Sequence, residues 1–323
     1  MDPYDLIIIG GSAAATTAGI YAARRNLNFK IITKEFGGEV ATSGEIGNWP
    51  GDGNTNGIAL AQKFREHLDS YKINIEDGVE VLSLAKQADG LFCITTRTDD
   101  MTQAADKMPT GSLDAPKCDY IAKTVIVTTG AHPRTLDVPG EVEYRNKGVT
   151  YCTVCDGPLF GDKVTAVVGG GNSALEAALM LTDIASKVYV INKNAQFKGE
   201  KVLIDNLLSK KNVEVIYEAK TTGVQGAEFV TGLAYTNKQN VEQKLIVDGV
   251  FIHIGLVPNS YILPSEIEKD SFGYVKVNAN CETNIPGLFA AGDVTDVPFK
   301  QIVIAAGQGT IALLSAVGYL NRL

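Results

Sequence analysis

Between Tyr4 and Thr33 the chain changes its hydrophobic rhythm twice. Tyr4-Asp5-Leu6-Ile7-Ile8-Ile9 ends in four consecutive branched apolar residues, the pattern of a strand buried on both faces. Gly10-Gly11-Ser12 then interrupts it, and the Ala-rich stretch Ala13 to Arg24 predicts a helix, followed by a second apolar strand, Phe29 to Thr33. Strand, glycine turn, helix and strand in this order open a doubly wound α/β sheet. The same pattern returns later: Val164 to Val168, the turn Gly169-Gly170-Gly171-Asn172-Ser173-Ala174, a helix to Leu181, and a strand over 187–191. Two copies about one domain length apart form an internal repeat.

Further strands are predicted over 79–84, 91–96 and 120–128, with a polar Gly-, Pro- and Asp-containing surface loop over 98–116. Beyond the second copy, strands are expected over 213–216, 229–235 and 244–250. A strand over 287–291 and an apolar helix over 302–321 close the chain. The apolar run 6–23 resembles a membrane span in composition. It follows Asp2 and Asp5, contains two early glycines and changes from β-branched to Ala-rich midway, so a strand and a helix are expected there.

A length of 323 residues suggests two domains. With 29 basic and 37 acidic residues the net charge is −8, which argues against nucleic acid or an anionic membrane as the main partner. Five cysteines are too few, and too odd a number, for a disulfide scaffold, so a reducing cytoplasm is expected.

The sharpest chemical feature is Cys152-Thr153-Val154-Cys155-Asp156. Cysteines at i and i+3 lie on one side of a helical turn, close enough for a disulfide, and such pairs lower one thiol pKa. Half of a zinc site and a purely structural pair are the other readings. Zinc needs a second ligand pair, which the scattered His67, His132 and His253 do not offer. Cys93, Cys118 and Cys281 are isolated in sequence and read as small buried hydrophobes. Asp156 can pass a proton to or from a leaving thiolate, or can serve as a turn residue ahead of Gly157-Pro158. Each Gly-rich turn can cradle a dinucleotide phosphate at its helix N-terminus, although Gly10 to Ala15 departs from G-x-G-x-x-G at its last two glycines. Hydride transfer and thiol exchange need an intermediary, for which a flavin is the usual choice. Pyridine nucleotide, flavin, internal disulfide and external disulfide then form one electron chain.

These motifs together resemble the low-molecular-weight thioredoxin reductases. They look especially like the related reductase core of the alkyl hydroperoxide reductase flavoprotein subunit. The similarity runs from Asp5 to about Leu320 and includes Gly37-Gly38-Glu39, Asn48-Trp49-Pro50-Gly51, Thr128-Thr129-Gly130, Gly148 to Pro158, Thr283 to Asp293 and Lys300-Gln301-Ile302. The resemblance implies two Rossmann-like, three-layer ββα nucleotide-binding domains, the second inserted into the first. An FAD domain would comprise 1–132 plus 249–323, and a pyridine-nucleotide domain carrying the cysteines 133–248. FAD would be held by Gly10, Ser12, Ala13, Gly37, Gly38, Glu39, Asn48, Thr129, Gly130, Gly292, Asp293, Lys300, Gln301 and Ile302. Asp293 would take the ribityl chain, and Gln301 would lie near the isoalloxazine. Cys155 would face the flavin, Cys152 would attack the partner, and Asp156 would be the general acid. Gly169, Gly171, Asn172 and Ser173 would bind the pyridine nucleotide. A homodimer is implied, as is a separate thioredoxin- or glutaredoxin-like acceptor feeding a peroxiredoxin, because the N-terminal thioredoxin-like region of the flavoprotein subunit has no counterpart in this sequence.

The NADPH-specific members carry a His-Arg-Arg run after the second strand of this unit. Here Ile191-Asn192-Lys193-Asn194-Ala195-Gln196-Phe197-Lys198 stands in its place. Lys193 and Lys198 supply point charges for a 2′-phosphate without the bidentate fork of arginine, and Asn192 suits neither nucleotide fully. This tilts the expectation slightly to NADPH, with use of both NADPH and NADH the next reading and a solvated surface the plain one. A reductase fed by ferredoxin or a second flavin, and a dithiol oxidase returning electrons to oxygen, are the competing readings.

Overall fold

The computed structural model describes residues 2–98 and 118–323, which fall into two compact units. The first comprises Met1–Ser43, Trp49–His132 and Val257–Leu323; the second comprises Gly44–Asn48 and Pro133–Leu256. The return to the first unit falls at Val257 rather than near residue 249, because Gly249–Ile252 is a strand of the second unit's parallel sheet.

In the first unit Tyr4–Ile9 is a central parallel strand, flanked by Phe29–Thr33 on one side and Tyr120–Val127 on the other. Ile75–Asp77 extends the sheet beyond Phe29–Thr33, and Leu288–Ala290 pairs in parallel with Tyr120–Val127. Phe92–Thr98 and Val79–Lys86 add antiparallel strands. Both faces are covered, which is why the first strand reads as an unbroken apolar run. Leu6 and Ile8 pack with Ala14, Ala18, Ala312 and Leu313 under two helices, Ala13–Arg24 and Ile302–Leu320. Ile7 and Ile9 pack with Val81, Phe92 and Ile94 on the other side. Full burial of each such side chain is worth about 1.5–3 kcal/mol. The small residues of both helices have a use: a Cβ on Gly309 would lie 2.1 Å from the Ala14 carbonyl oxygen, so the helices touch backbone to backbone. Thr17 adds a 2.7 Å hydrogen bond to the Ala306 carbonyl. Ile302–Leu320 is long and apolar enough to cross a bilayer, but Ala306, Gly309, Ala312, Leu313 and Ala316 form a buried stripe along it.

The second unit repeats the arrangement. Val164–Val168 lies between Lys187–Asn192 and Gly249–Ile252, with Val213–Tyr217 and Val149–Thr150 at the two edges. A three-stranded antiparallel sheet of Lys220–Gly226, Val230–Thr236 and Glu242–Ile246 accompanies it. The single strand expected over 244–250 is therefore two strands in different sheets. The break falls at Val247 and Asp248, where Asp248 N–H donates to the Val164 carbonyl and its carboxylate accepts the Val164 N–H, both within 2.8 Å. Phe160 covers Gly249 so closely that a Cβ there would lie 2.2 Å from the ring.

The cysteines bring a correction. Cys93 and Cys118, expected as separate buried hydrophobes, form a disulfide with a Cα–Cα distance of 5.2 Å. Antiparallel pairing returns the chain to Phe92–Thr98, with Asp119 N–H on the Ile94 carbonyl at 3.0 Å, and closes a contact between positions 25 apart. Cys281 is a buried free thiol, its pKa pushed up to about 11 by burial. The loop expected over 98–116 lies, from residue 99 on, outside the described residues; Thr98 ends a strand.

Replacing both Cys93 and Cys118 by Ser is expected to lower the unfolding free energy, measured by denaturant titration without reductant, by about 2–4 kcal/mol. In excess dithiothreitol the two proteins should unfold alike. Equal stability in both conditions would show that the pair does not cross-link the protein in solution.

Candidate active site

Four segments converge at the carboxyl ends of the first unit's parallel strands: Gly10 to Ser12, Gly37 to Glu39, Thr128 to Gly130, and Gly292 to Asp293. Gly10 has φ +125° and sits so close to the end of the neighbouring strand that a Cβ would lie 2.4 Å from the Thr128 carbonyl oxygen. Gly37 N–H donates to the Gly11 carbonyl at 2.8 Å, and a Cβ on Gly292 would touch Ala14 Cβ at 3.5 Å. Ser12 is the extended residue preceding the Ala13–Arg24 helix but gives no side-chain cap, and the first turn holds no acidic residue. Such an uncapped N-terminus behind a glycine turn leaves N–H donors for a diphosphate.

Asp293 lies three positions after the end of the Leu288–Ala290 strand. Burial pushes its pKa up to about 6, with Lys300 opposing and Glu39 reinforcing the shift. Its carboxyl takes no hydrogen bond from the described residues, which suits an acceptor for the hydroxyls of a ribityl chain. Lys300 is engaged within its own loop. Its ammonium donates to the carbonyls of Thr295 at 2.6 Å and Val297 at 2.9 Å and lies 4.1 Å from the Tyr274 ring centroid, so it organises its own loop. Gln301 is the extended residue before the closing helix, of which Ile302 is the first residue. Thr129 donates to the Asn259 carbonyl and accepts the Asn259 side-chain amide at its own carbonyl, each at 2.8 Å. Glu39 lies in the short Gly38–Thr42 helix, where its carbonyl and carboxylate accept the Thr42 hydroxyl. Asn48 belongs to Gly44–Asn48, which groups with the second unit. The glycine cradle, the uncapped helix and the donor-less Asp293 carboxyl fit a flavin dinucleotide.

In the second unit Gly169 has φ +154°, and a Cβ there would lie 2.2 Å from the His253 carbonyl oxygen. Gly171 precedes the Asn172–Thr182 helix, which again has neither a side-chain cap nor an acidic first turn. Ser173 lies in that first turn. Asn172 spends its amide on Glu200, accepting its N–H at 2.8 Å and donating to its carboxylate at 3.0 Å. Asn192, fully buried, presses on Gly170; its Oδ1 accepts the Asn194 N–H at 3.0 Å, and its Nδ2 finds no acceptor among the described residues. Lys198 is tied to the turn through its backbone N–H on the Gly170 carbonyl at 2.8 Å. The Lys193 and Lys198 side chains are exposed.

Cys152 and Cys155 form a disulfide with a Cα–Cα distance of 5.3 Å. Cys152 is the extended cap of the Thr153–Asp156 helical turn, and its Sγ accepts the Cys155 N–H at 3.3 Å. Asp156 accepts a hydrogen bond from the Thr150 hydroxyl, and burial, opposed by that bond and reinforced by Glu45, raises its pKa above the usual carboxylate range. Three supports escaped the sequence reading. Glu141, 1% exposed, accepts the Tyr151 hydroxyl at 2.8 Å and the N–H groups of Leu136 and Asp137 at 2.9 and 2.8 Å, which anchors the residue before Cys152. Arg145 lies 5.2 Å from the Tyr151 ring. His253, which sequence spacing left isolated, hydrogen-bonds Thr153 Oγ1 through Nε2 at 2.7 Å, and burial lowers its pKa to about 4. None of these has a local signal, since Thr153 and His253 are 100 positions apart.

Comparison with known proteins places this geometry. The family model for pyridine nucleotide-disulphide oxidoreductases matches residues 4–309. The chain is 39% identical over 325 residues to the F subunit of alkyl hydroperoxide reductase from Escherichia coli, covering 99% of this chain and 59% of that protein's length. Among solved structures it is similar to a thioredoxin reductase from Streptococcus pyogenes, with TM-score 0.87, 35% identity and 99% of both chains covered. A thioredoxin reductase from Giardia duodenalis gives TM-score 0.88 at 29% identity, over 99% of this chain and 100% of that one.

Proposed function

The chain belongs to the pyridine nucleotide-disulphide oxidoreductase family, and from that premise we propose that it is an FAD-dependent reductase working in the cytoplasm. It passes electrons from NADPH through the Cys152–Cys155 disulfide to a thioredoxin- or glutaredoxin-like protein that in turn serves a peroxiredoxin. The observation that carries this reading is the disulfide itself: a short C-x-x-C bridge followed by a half-buried acid, in the same unit as an uncapped Gly-rich nucleotide turn.

A flavin bound in the first unit would supply the conversion between a two-electron hydride and thiol chemistry. Gly10 to Ala13 would hold its diphosphate and Asp293 its ribityl hydroxyls. In the second unit the reduced pair does the exchange. The Cys152 thiolate attacks the partner's disulfide, forming a mixed disulfide and expelling a partner thiolate, which Asp156 protonates. The Cys155 thiolate then attacks Cys152 Sγ, restoring the Cys152–Cys155 bond and releasing the second partner thiolate. Two electrons have moved from the pair to the partner.

The preference for NADPH rests on what ends the Lys187–Asn192 strand. An acceptor carboxylate there would suit the ribose hydroxyls of NADH. Asn192 has its acceptor atom already engaged by Asn194 and offers a donor instead. Lys193 and Lys198 bring two exposed cations to the same end of the sheet, where a 2′-phosphate would sit. We assign the exposed apolar stripe Val303, Ile311 and Leu314 of the closing helix to contact with a second copy in a homodimer.

Cys155→Ser should abolish disulfide turnover while the flavin stays bound and bleaches on adding reduced nucleotide; undiminished turnover would remove the central assignment. Lys193→Ala combined with Lys198→Ala should raise the KM for NADPH by about tenfold, a loss of about 1.4 kcal/mol, and leave that for NADH nearly unchanged. An equal effect on both nucleotides would take away the 2′-phosphate role. Sedimentation should show a dimer that Leu314→Glu converts to monomer; a dimer that survives this change must use another face.

A further inference from the structure

Thr150 stands two positions before the first redox cysteine, in the Val149–Thr150 strand at the edge of the second unit's parallel sheet. It is 5% exposed, and its register opposite Phe251 holds it fixed. Its hydroxyl has two partners. It donates to the Asp156 carboxylate and accepts the Cys152 N–H at 3.2 Å. One hydroxyl therefore ties the acid to the main chain of the attacking cysteine, across the turn that carries the disulfide.

We propose that Thr150 is a positioning residue for proton transfer at the redox pair: its hydroxyl holds the Asp156 carboxyl in the orientation from which it protonates the thiolate leaving a cleaved disulfide. The proposal rests on the reductase reading above and on the role given there to Asp156. When an external thiolate attacks the Cys152–Cys155 bond, a new S–S bond forms, the old one breaks, and the departing cysteine sulfur takes the Asp156 proton. Asp156 regains that proton from solvent. A second external thiolate completes the two-electron reduction.

Removing the hydroxyl changes both geometry and charge. Burial already disfavours the Asp156 carboxylate, and the Thr150 bond works against burial by stabilising the ionised form. Without it the acid stays protonated to higher pH but is no longer aimed. The groups around it leave few other causes. The Gly157–Phe160 turn has no ionisable side chain, and the Asn172–Thr182 helix has only Glu176, which is exposed. Glu45, in the Gly44–Asn48 stretch, raises the Asp156 pKa, and His253, on Thr153, is neutral above about pH 4.

The test follows reduction of the holoenzyme's own disulfide by dithiothreitol as a function of pH. Trapping and mass spectrometry of the Cys152–Cys155 peptide read the rate, corrected for the dithiothreitol thiolate fraction. The corrected wild-type rate should fall as pH rises through the Asp156 pKa. In Thr150→Val the plateau should drop by about tenfold and the fall should move up by about one pH unit. Thr150→Ser should restore both, and Thr150→Ala should repeat the Val result if Val disturbs the strand. Flavin bleaching by reduced nucleotide should be the same in all. A Val and Ala profile superimposing on wild type would overturn the proposal. If Asp156→Asn also kept the wild-type pH dependence, the failure would lie in the assignment of Asp156 itself.

Discussion

A glycine in the positive-φ region, pressed against the end of a neighbouring strand, is what both halves of this protein are built around. At Gly10 the space for a Cβ is taken by the Thr128 carbonyl, and at Gly169 by the His253 carbonyl. Only glycine, as a residue type, combines that backbone conformation with so close an approach. The close contact directs each following helix so that its uncapped N-terminus opens at the carboxyl edge of the sheet, where anions bind. In the second unit the same contact reaches the redox chemistry. The carbonyl of His253 fills the place beside Gly169 while its ring hydrogen-bonds Thr153 inside the C-x-x-C turn.

Two acids carry burial in different ways. Asp293 and Asp156 are both raised above the usual carboxylate range by desolvation. Asp293 has no donor among the described residues, and Lys300, whose charge opposes the shift, gives its hydrogen bonds to backbone carbonyls. Asp156 instead has the Thr150 hydroxyl, itself linked to the Cys152 N–H. An acid so held, with its proton-bearing form favoured by desolvation, can give a proton to a thiolate and take it back. Glu141 is the contrasting case, a buried carboxylate whose oxygens are used by Tyr151, Leu136 and Asp137, and which serves to hold the chain leading into the disulfide.

The strands Tyr4–Ile9, Phe29–Thr33 and Val164–Val168 and the helix Ala13–Arg24 were legible because burial on two faces and a small-residue stripe write themselves into consecutive positions. The stretch 244–250 reads as one strand, although the turn-forming pair Asp248-Gly249 breaks its apolar run where the chain changes sheets. Nothing in the spacing of Cys93 and Cys118 announces a bond, because their approach depends on strands pairing across 25 positions.

The site divides along the same line. The spacing of Cys152 and Cys155 and the glycine runs of the two turns are written in adjacent positions and readable from the chain alone, although the carbonyls that demand glycine at Gly10 and Gly169 come from distant strands. The hold of Glu141 on the residue before the disulfide, the meeting of His253 with Thr153 and the burial of Asp156 beside Glu45 came into being only when distant segments packed together. Hydrogen-bond partners, exposure and pKa are set by what folds against a residue, and that information is spread over distant positions with no period of its own.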